Sequence, residues 1–353
     1  MTTHPSCTHL KSKLEDILAE ALGRNIASSL SVAVVCPPSQ TITLHRGLVG
    51  LKNPTNDATL YDLASLTKIL GTTMAVAKAV VDGVITLDET PWDAWPHISI
   101  GDVLRHTAGL PAHKKFFKDL PLSDDDFLAN KKAVVQELTK LATHKNSPRL
   151  YADVGFMAVG FLLEERYQKP LMAIFADAWQ TCGIGPTLRY FPSVPPHEEQ
   201  VLSQVAPTFC YERSIRRQGQ VHDANCHYVG GLAGHAGLFG TLSAVIAYGE
   251  FFLSCANNPV NSTMKTLADW AKHGIGFDKP TPDGSNACLS KEAFGHFGYT
   301  GVSLFMDPAL GDEGVAITLL TNRINESDRP EGIFWLRKAV NEAVVDTLAT
   351  LHD

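Results

Sequence analysis

The sequence predicts an α+β protein on three observations: β-rich alternating segments stand near both ends, stretches of helical periodicity fill the middle, and an amphipathic helix lies at each extreme. That order implies one antiparallel sheet assembled from the two ends of the chain, flanked by the terminal helices, with a mostly helical domain inserted between its halves. We place the sheet domain at residues 1–61 and 286–353 and the helical domain at 62–285, with a cleft at their interface.

Leu10 to Leu22 carries apolar residues at helical spacing, and Leu30 to Val35 and Thr41 to Gly47 read as strands joined at Pro37-Pro38-Ser39. A helix is predicted over Asp62 to Val81, burying Ile69, Leu70, Met74, Val76 and Val80 and ending at Asp82-Gly83. Ile98 to His113 holds a short amphipathic helix stopped by Thr107-Ala108-Gly109-Leu110-Pro111, with Gly and Pro in the order of a helix stop. Helices follow at Asp124 to Thr143 and Val154 to Arg166. Periodicity fades between Pro186 and Gln220, which predicts loop, and Leu242 to Leu253 is helical again after a glycine cluster. Thr300 to Asp307 and Val315 to Asn322 form a second hairpin around Pro308 to Glu313, and Ile333 to Leu351 closes the chain as a helix.

At 353 residues with 44% apolar content the chain can bury one large core or two modest ones. The net charge is −7 and no basic run exceeds Lys114-Lys115 or Arg216-Arg217, which argues against nucleic acid and anionic membrane as partners. Met1 to Lys13 has no basic segment leading into an apolar run, and no stretch has the length of a membrane span, so a cytoplasmic protein is expected, a monomer or weak homo-oligomer. Seven scattered cysteines without C-x-x-C spacing predict reduced thiols. His222-Asp223, Cys226-His227 and His235 lack metal-ligand spacing, so neither metal nor cofactor is expected.

Ser65-Leu66-Thr67-Lys68 sets a hydroxyl and an amine one helical turn apart, near a helix start whose N–H groups favour an anion. A serine so placed can attack a carbonyl if a neighbouring base takes its proton. The four residues alone also describe a capped helix with a solvated lysine, so the other roles must be found elsewhere. Tyr151-Ala152-Asp153 precedes a helix and would project the tyrosine hydroxyl from its start. Gly295-His296-Phe297-Gly298-Tyr299-Thr300-Gly301 begins a sheet strand whose glycines let a ligand approach the backbone. His296 could donate to substrate or leaving group, and the Tyr299 N–H could join that of Ser65 as an oxyanion pair.

Together, in this order, the three elements resemble the penicillin-recognising serine hydrolases, specifically the class C β-lactamase-like branch of carboxypeptidases, amidases and esterases. That family carries S-x-x-K, Y-x-N and K-T-G or H-x-G, met here by Ser65 to Lys68, Tyr151 to Asp153, and His296 to Gly298. Leu104 to Pro111, Gly231 to Gly240 and Leu320-Thr321-Asn322-Arg323 are similar to further stretches of that branch, so the resemblance runs from about Leu30 to the end. It implies a β-lactamase/transpeptidase-like fold with Ser65 as nucleophile. Lys68 and Tyr151 would share the general-base and general-acid work, and His296 would stand as the basic residue of the third motif. Asp153, Phe297, Gly298 and Tyr299 would contact substrate.

Two positions depart from the pattern. Asp153 replaces the usual Asn and is an acceptor only, so it could salt-bridge to Lys68 or favour a substrate with a free amine. His296 in place of Lys titrates near neutrality and weakens the expectation of binding a β-lactam carboxylate. Arg213, Arg216 and Arg217 read as a solvated loop face; they, Arg323 or Arg329 could instead meet a substrate carboxylate. The implied activity is an acyl-enzyme hydrolase acting on a small-molecule or muropeptide substrate, as an amidase or peptidase of peptidoglycan recycling. A small-ester esterase, a weak β-lactamase, and a non-catalytic ligand sensor on the same fold are the alternatives.

Overall fold

The run Ser29–Cys36 (β1) has a buried side chain at nearly every position and sits at the centre of a sheet, covered on both faces. The computed structural model describes residues 5–36, 40–50, 52–193, 198–211, 215–324 and 330–349. Six antiparallel strands make the sheet: β1, Gln40–Val49 (β2), Asn53–Pro54 (β3), Phe294–Phe297 (β4), Ser303–Asp307 (β5) and Val315–Thr321 (β6), in the order β3-β2-β1-β6-β5-β4. The two ends of the chain meet where β1 pairs with β6, Leu30 opposite Thr321 and Val35 opposite Ala316. The expected turn at Pro37-Pro38-Ser39 lies outside the described residues.

Strand alternation divides the core in two. Leu30, Val32 and Val34 of β1, with Val315, Ile317 and Leu319 of β6, face Leu10, Leu14 and Leu18 of the Pro5–Gly23 helix and Leu336, Val340 and Val344 of the Pro330–Ala349 helix. Ala33 and Val35, with Leu304, Met306, Ala316 and Leu320, face the inserted helices, where Leu242–Asn257 lies on the sheet. Each of the valines, leucines, isoleucine and methionine among them contributes roughly 1.5–3 kcal/mol of burial. This is the antiparallel sheet built from both ends of the chain, with flanking terminal helices, that the sequence predicts.

The helices at Asp153–Tyr167 and Phe127–Thr139 correspond to the expected ones, the second shorter at both ends. The expected helix near residue 100 is reduced to Ile100–Leu104. Among the described residues two helices of more than ten residues were missed, Leu171–Thr181 and Ser262–His273, along with the short Phe116–Asp119 and Ala224–Tyr228. Ser262–His273 carried a readable signal: Asn261 caps it by accepting the Met264 N–H at 2.9 Å, and Gly274 ends it at φ +63°. The predicted 186–220 loop contains the Glu199–Leu202 turn and a Thr208–Cys210/Ile215–Arg217 strand pair. No helix among the described residues is long and apolar enough to cross a membrane.

One close approach ties the helical region together beneath the cleft. Gly160 and Gly234 pack backbone to backbone, and a Cβ at Gly234 would sit 2.0 Å from the Phe156 carbonyl oxygen. Gly234 O also accepts the Thr72 hydroxyl at 2.6 Å. Gly234→Ala must therefore spread two buried segments, and we expect a loss of about 3 kcal/mol or more, read as a lowered urea midpoint. An unchanged midpoint would show that the segments separate at no cost.

Candidate active site

The chain enters the site as a strand, not as the helix predicted from Asp62. Tyr61–Asp62 pairs antiparallel with Phe239–Gly240, and the Leu63 N–H donates to Leu238 O at 2.9 Å. Ala64 then takes a left-handed conformation, φ 45°, and turns the backbone sharply. A non-glycine residue there costs on the order of 1 kcal/mol. The Asp62 carboxylate holds the turn by accepting the Ala64 N–H at 2.8 Å and the His222 N–H at 2.7 Å. Burial lifts the Asp62 carboxyl to about 6, although these N–H groups favour its anion. Three i→i+3 bonds follow, ending with Lys68 N–H to Ser65 O at 3.0 Å, so Ser65 stands half-buried on the first turn.

Lys68–Thr73 continues as a wider π-helical turn before Met74–Val81 becomes α-helical. Gly71 lies under the Phe175 ring, and the Trp179 indole N–H occupies the Leu70 carbonyl at 2.5 Å. This crossing helix points the wholly buried Lys68 back at the turn. Its Nζ donates to Ser65 Oγ at 2.9 Å, Tyr151 OH at 2.6 Å and Asp153 Oδ1 at 2.7 Å, with His235 O at 3.4 Å. The Tyr151 hydroxyl donates to Ser65 Oγ at 2.9 Å and closes a triangle. Residues far apart in the chain are thus joined around one nitrogen.

Charge states follow from burial. Desolvation, and next the Asp153 carboxylate, push the Tyr151 hydroxyl well above its usual range, so it rests as the phenol. Burial would raise Asp153 too, but the Lys68 charge and His113 outweigh it and hold this carboxyl well below the usual range. The resting site is an ammonium–carboxylate pair beside a phenol.

The third element ends β4 at Phe297 and turns at Gly298. A Cβ at Gly298 would meet Leu63 O at 3.0 Å and Ala64 Cβ at 3.3 Å, so this turn presses on the strained backbone before Ser65. The Thr300 hydroxyl bonds Asp62 O at 2.7 Å, and the Arg337 guanidinium donates to Gly298 O at 2.7 Å and Val302 O at 2.8 Å while lying over the Phe297 ring. Among the described residues no protein acceptor takes the Ser65 or the Tyr299 N–H. The half-exposed Tyr299 ring stacks on His222, and Arg323 holds its carbonyl through Nε at 2.7 Å. Ser65, Tyr151, Asp153, His296, Phe297, Gly298 and Tyr299 all line one cleft of about 910 Å³.

Residues 30–341 match the beta-lactamase family model. The chain belongs to the beta-lactamase family. It is 26% identical over 305 residues, 75% of this chain and 69% of the relative, to a protein of Salmonella enteritidis PT4 named "Putative D-alanyl-D-alanine carboxypeptidase". A protein of Escherichia coli O157:H7 with the same name is 26% identical over 311 residues, with coverage of 75% and 69%. Among solved structures, the D-amino acid amidase from Ochrobactrum anthropi SV3 complexed with L-phenylalanine amide superposes with TM-score 0.71 at 15% identity, covering 98% of this chain and all 100% of that one. A class C beta-lactamase superposes with TM-score 0.69 at 15% identity, covering 96% and 99%. This beta-lactamase-family protein is a serine hydrolase.

Several residues of this beta-lactamase-family site were assigned no role from the sequence. His106, at φ 60°, accepts the Ala152 N–H on Nδ1 at 3.0 Å and lies 4.8 Å from the Tyr151 ring; burial depresses its pKa to about 3, so it is a neutral wedge behind the tyrosine. Asp278 faces His296 Nε2 at 3.7 Å and pairs with Arg149. His296 is buried and its pKa is lowered by desolvation, while Nδ1 donates to Phe297 O. Desolvation thus favours the neutral imidazole at His296, in the same cleft as the Tyr151 phenol.

Arg217 is not on a solvated face: it is buried and donates to Val221 O and His222 O at 3.0 and 2.9 Å. Arg323 lines the cleft, Arg216 is exposed, and Arg213 and Arg329 lie outside the described residues. His235 bonds Asp223 at 3.1 Å, and no group of three or more metal-ligating side chains occurs among the described residues.

Proposed function

We propose that this hydrolase cleaves a peptidoglycan-derived amide or peptide through an acyl-enzyme on Ser65. The observation that carries the reading is the triangle of Ser65 Oγ, Lys68 Nζ and Tyr151 OH, each side 2.9 Å or shorter. In the form of the Lys68–Tyr151 pair that has given up one proton to solvent, Ser65 Oγ adds to the carbonyl carbon, its proton passes to the pair, and the pair returns that proton to the leaving nitrogen. The developing oxyanion is received by the Ser65 and Tyr299 N–H groups, which find no protein acceptor among the described residues. Water then releases the acid by the same steps in reverse order.

The names of the relatives support an amide substrate, since a carboxypeptidase and an amidase both cleave amides. The cleft volume suits a short peptide. The test is a screen of muropeptides, amino acid amides, p-nitrophenyl esters and nitrocefin against wild type and Ser65→Ala, read by intact-protein mass. A mass adduct on Ser65 with an amide or peptide, released on standing, is the expected result. Ester adducts alone would move the assignment to an esterase, and no adduct with any class would favour a ligand sensor.

A further inference from the structure

The side chain that departs from the family pattern, Asp153, also faces the reacting centre. It opens the Asp153–Tyr167 helix, and its own N–H donates to Ala112 O at 3.1 Å, which fixes its backbone at the cleft wall. Oδ1 is committed to Lys68 at 2.7 Å. Oδ2 has a looser partner, the half-exposed His113, whose Nδ1 stands 3.9 Å away. Asp153 remains 24% exposed to the cleft, so a group entering with substrate can replace His113 on that oxygen. Asp223 lines the same cleft, its Oδ1 engaged by the Cys226 N–H and His235.

Distance makes this oxygen relevant to substrate choice. Ser65 Oγ and Asp153 Oδ1 are bonded to the same lysine nitrogen, at 2.9 and 2.7 Å. A carbonyl carbon attacked by Ser65 therefore carries its α-substituent to within reach of the Asp153 carboxylate. An asparagine at this position would donate an N–H to an acylamino carbonyl there; a carboxylate offers that oxygen only repulsion. A free α-ammonium brings three N–H donors and a positive charge, and forms a charge-assisted bond.

Resting on the acyl-enzyme reading above, we propose that Asp153 is a specificity-determining residue that reserves the site for acyl groups carrying an unblocked α-ammonium. The enzyme is then an aminopeptidase or amino acid amidase, taking the residue at a free N-terminus, and N-acylated substrates, including N-acylated β-lactams, are poor ones. The ammonium displaces His113 from Oδ2 while Lys68 keeps Oδ1.

The test compares kcat/KM for D- and L-alanyl p-nitroanilide, their N-acetyl forms, and propionyl p-nitroanilide, which lacks the amine, in wild type and Asp153→Asn. Fluorophosphonate labelling of Ser65 is followed in parallel. Wild type should favour the free amine over both other forms by roughly 10- to 100-fold in the preferred stereoisomer. Asp153→Asn should erase most of that ratio, chiefly through KM for the free amine. Equal rates for the free and N-acetyl substrates, or for the propionyl compound, overturn the proposal from wild-type data alone, even if the variant fails to fold. A ratio unchanged in a folded Asp153→Asn does the same. If Ser65 labels while the ratio fails, the hydrolase reading stands without this one; if Ser65 does not label, both fall.

Discussion

Ser65→Ala is expected to lose all labelling by a fluorophosphonate and to reduce turnover of any amide substrate by on the order of 10⁴-fold or more. The reason is geometric. Ser65 Oγ is the hydroxyl on which both the Lys68 amine and the Tyr151 phenol converge, at 2.9 Å each, and Ala64 is held in a left-handed turn to present it. Removing Oγ leaves the backbone intact, so the unfolding midpoint should stay near that of wild type. Labelling of the alanine variant at the wild-type rate would place the nucleophile elsewhere and sink the mechanism.

Lys68 and Tyr151 should behave as one proton-transfer unit. Each acyl transfer moves a proton off Ser65 and onto the leaving group, and the two side chains share a 2.6 Å bond. Tyr151→Phe and Lys68→Ala should each cost on the order of 10³-fold in kcat, and the double variant scarcely more. Multiplicative losses would mean that the two act separately. Lys68→Ala carries a stability effect as well, because it strands Asp153, and we expect a loss of about 3 kcal/mol that Lys68→Met with Asp153→Asn partly restores.

The pH profile of that unit has a defined sign. Burial and the Asp153 charge both raise Tyr151, so the proton-accepting form of the pair is scarce at neutral pH and kcat/KM should climb as pH rises. Asp153→Asn removes the largest of the charge effects that raise Tyr151, and the rising limb should move to lower pH, measured on propionyl p-nitroanilide so that amine binding does not enter. A limb that stays in place would show that Asp153 does not act on the pair.

Much of this was legible in the chain. β-rich runs at Leu30 to Val35 and Val315 to Asn322 marked strands from opposite ends of the sequence, and a strand buried on both faces needs partners that only the other end supplies. Ser65 and Lys68 were visible as a hydroxyl and an amine one helical turn apart, and Tyr151 and His296 took their roles from the resemblance of their segments to the family's second and third motifs. The helix start was misplaced because Tyr61 and Asp62 find Phe239 and Gly240 as strand partners, a contact without local signal. His106, Asp62 and Asp278 were missed for a related reason: a lone histidine or aspartate has no periodicity.

By itself, then, the amino-acid sequence determined the α+β order of elements through residue type and spacing, and, through its resemblance to the family, the three motifs and the replacement of Asn by Asp at 153. Only the tertiary structure decided the protonation states: Tyr151 as phenol, His296 neutral, Lys68 paired to Asp153. Those depend on how much water the packed fold removes from each group and which charges it brings within a few ångströms, and neither quantity exists until distant segments meet.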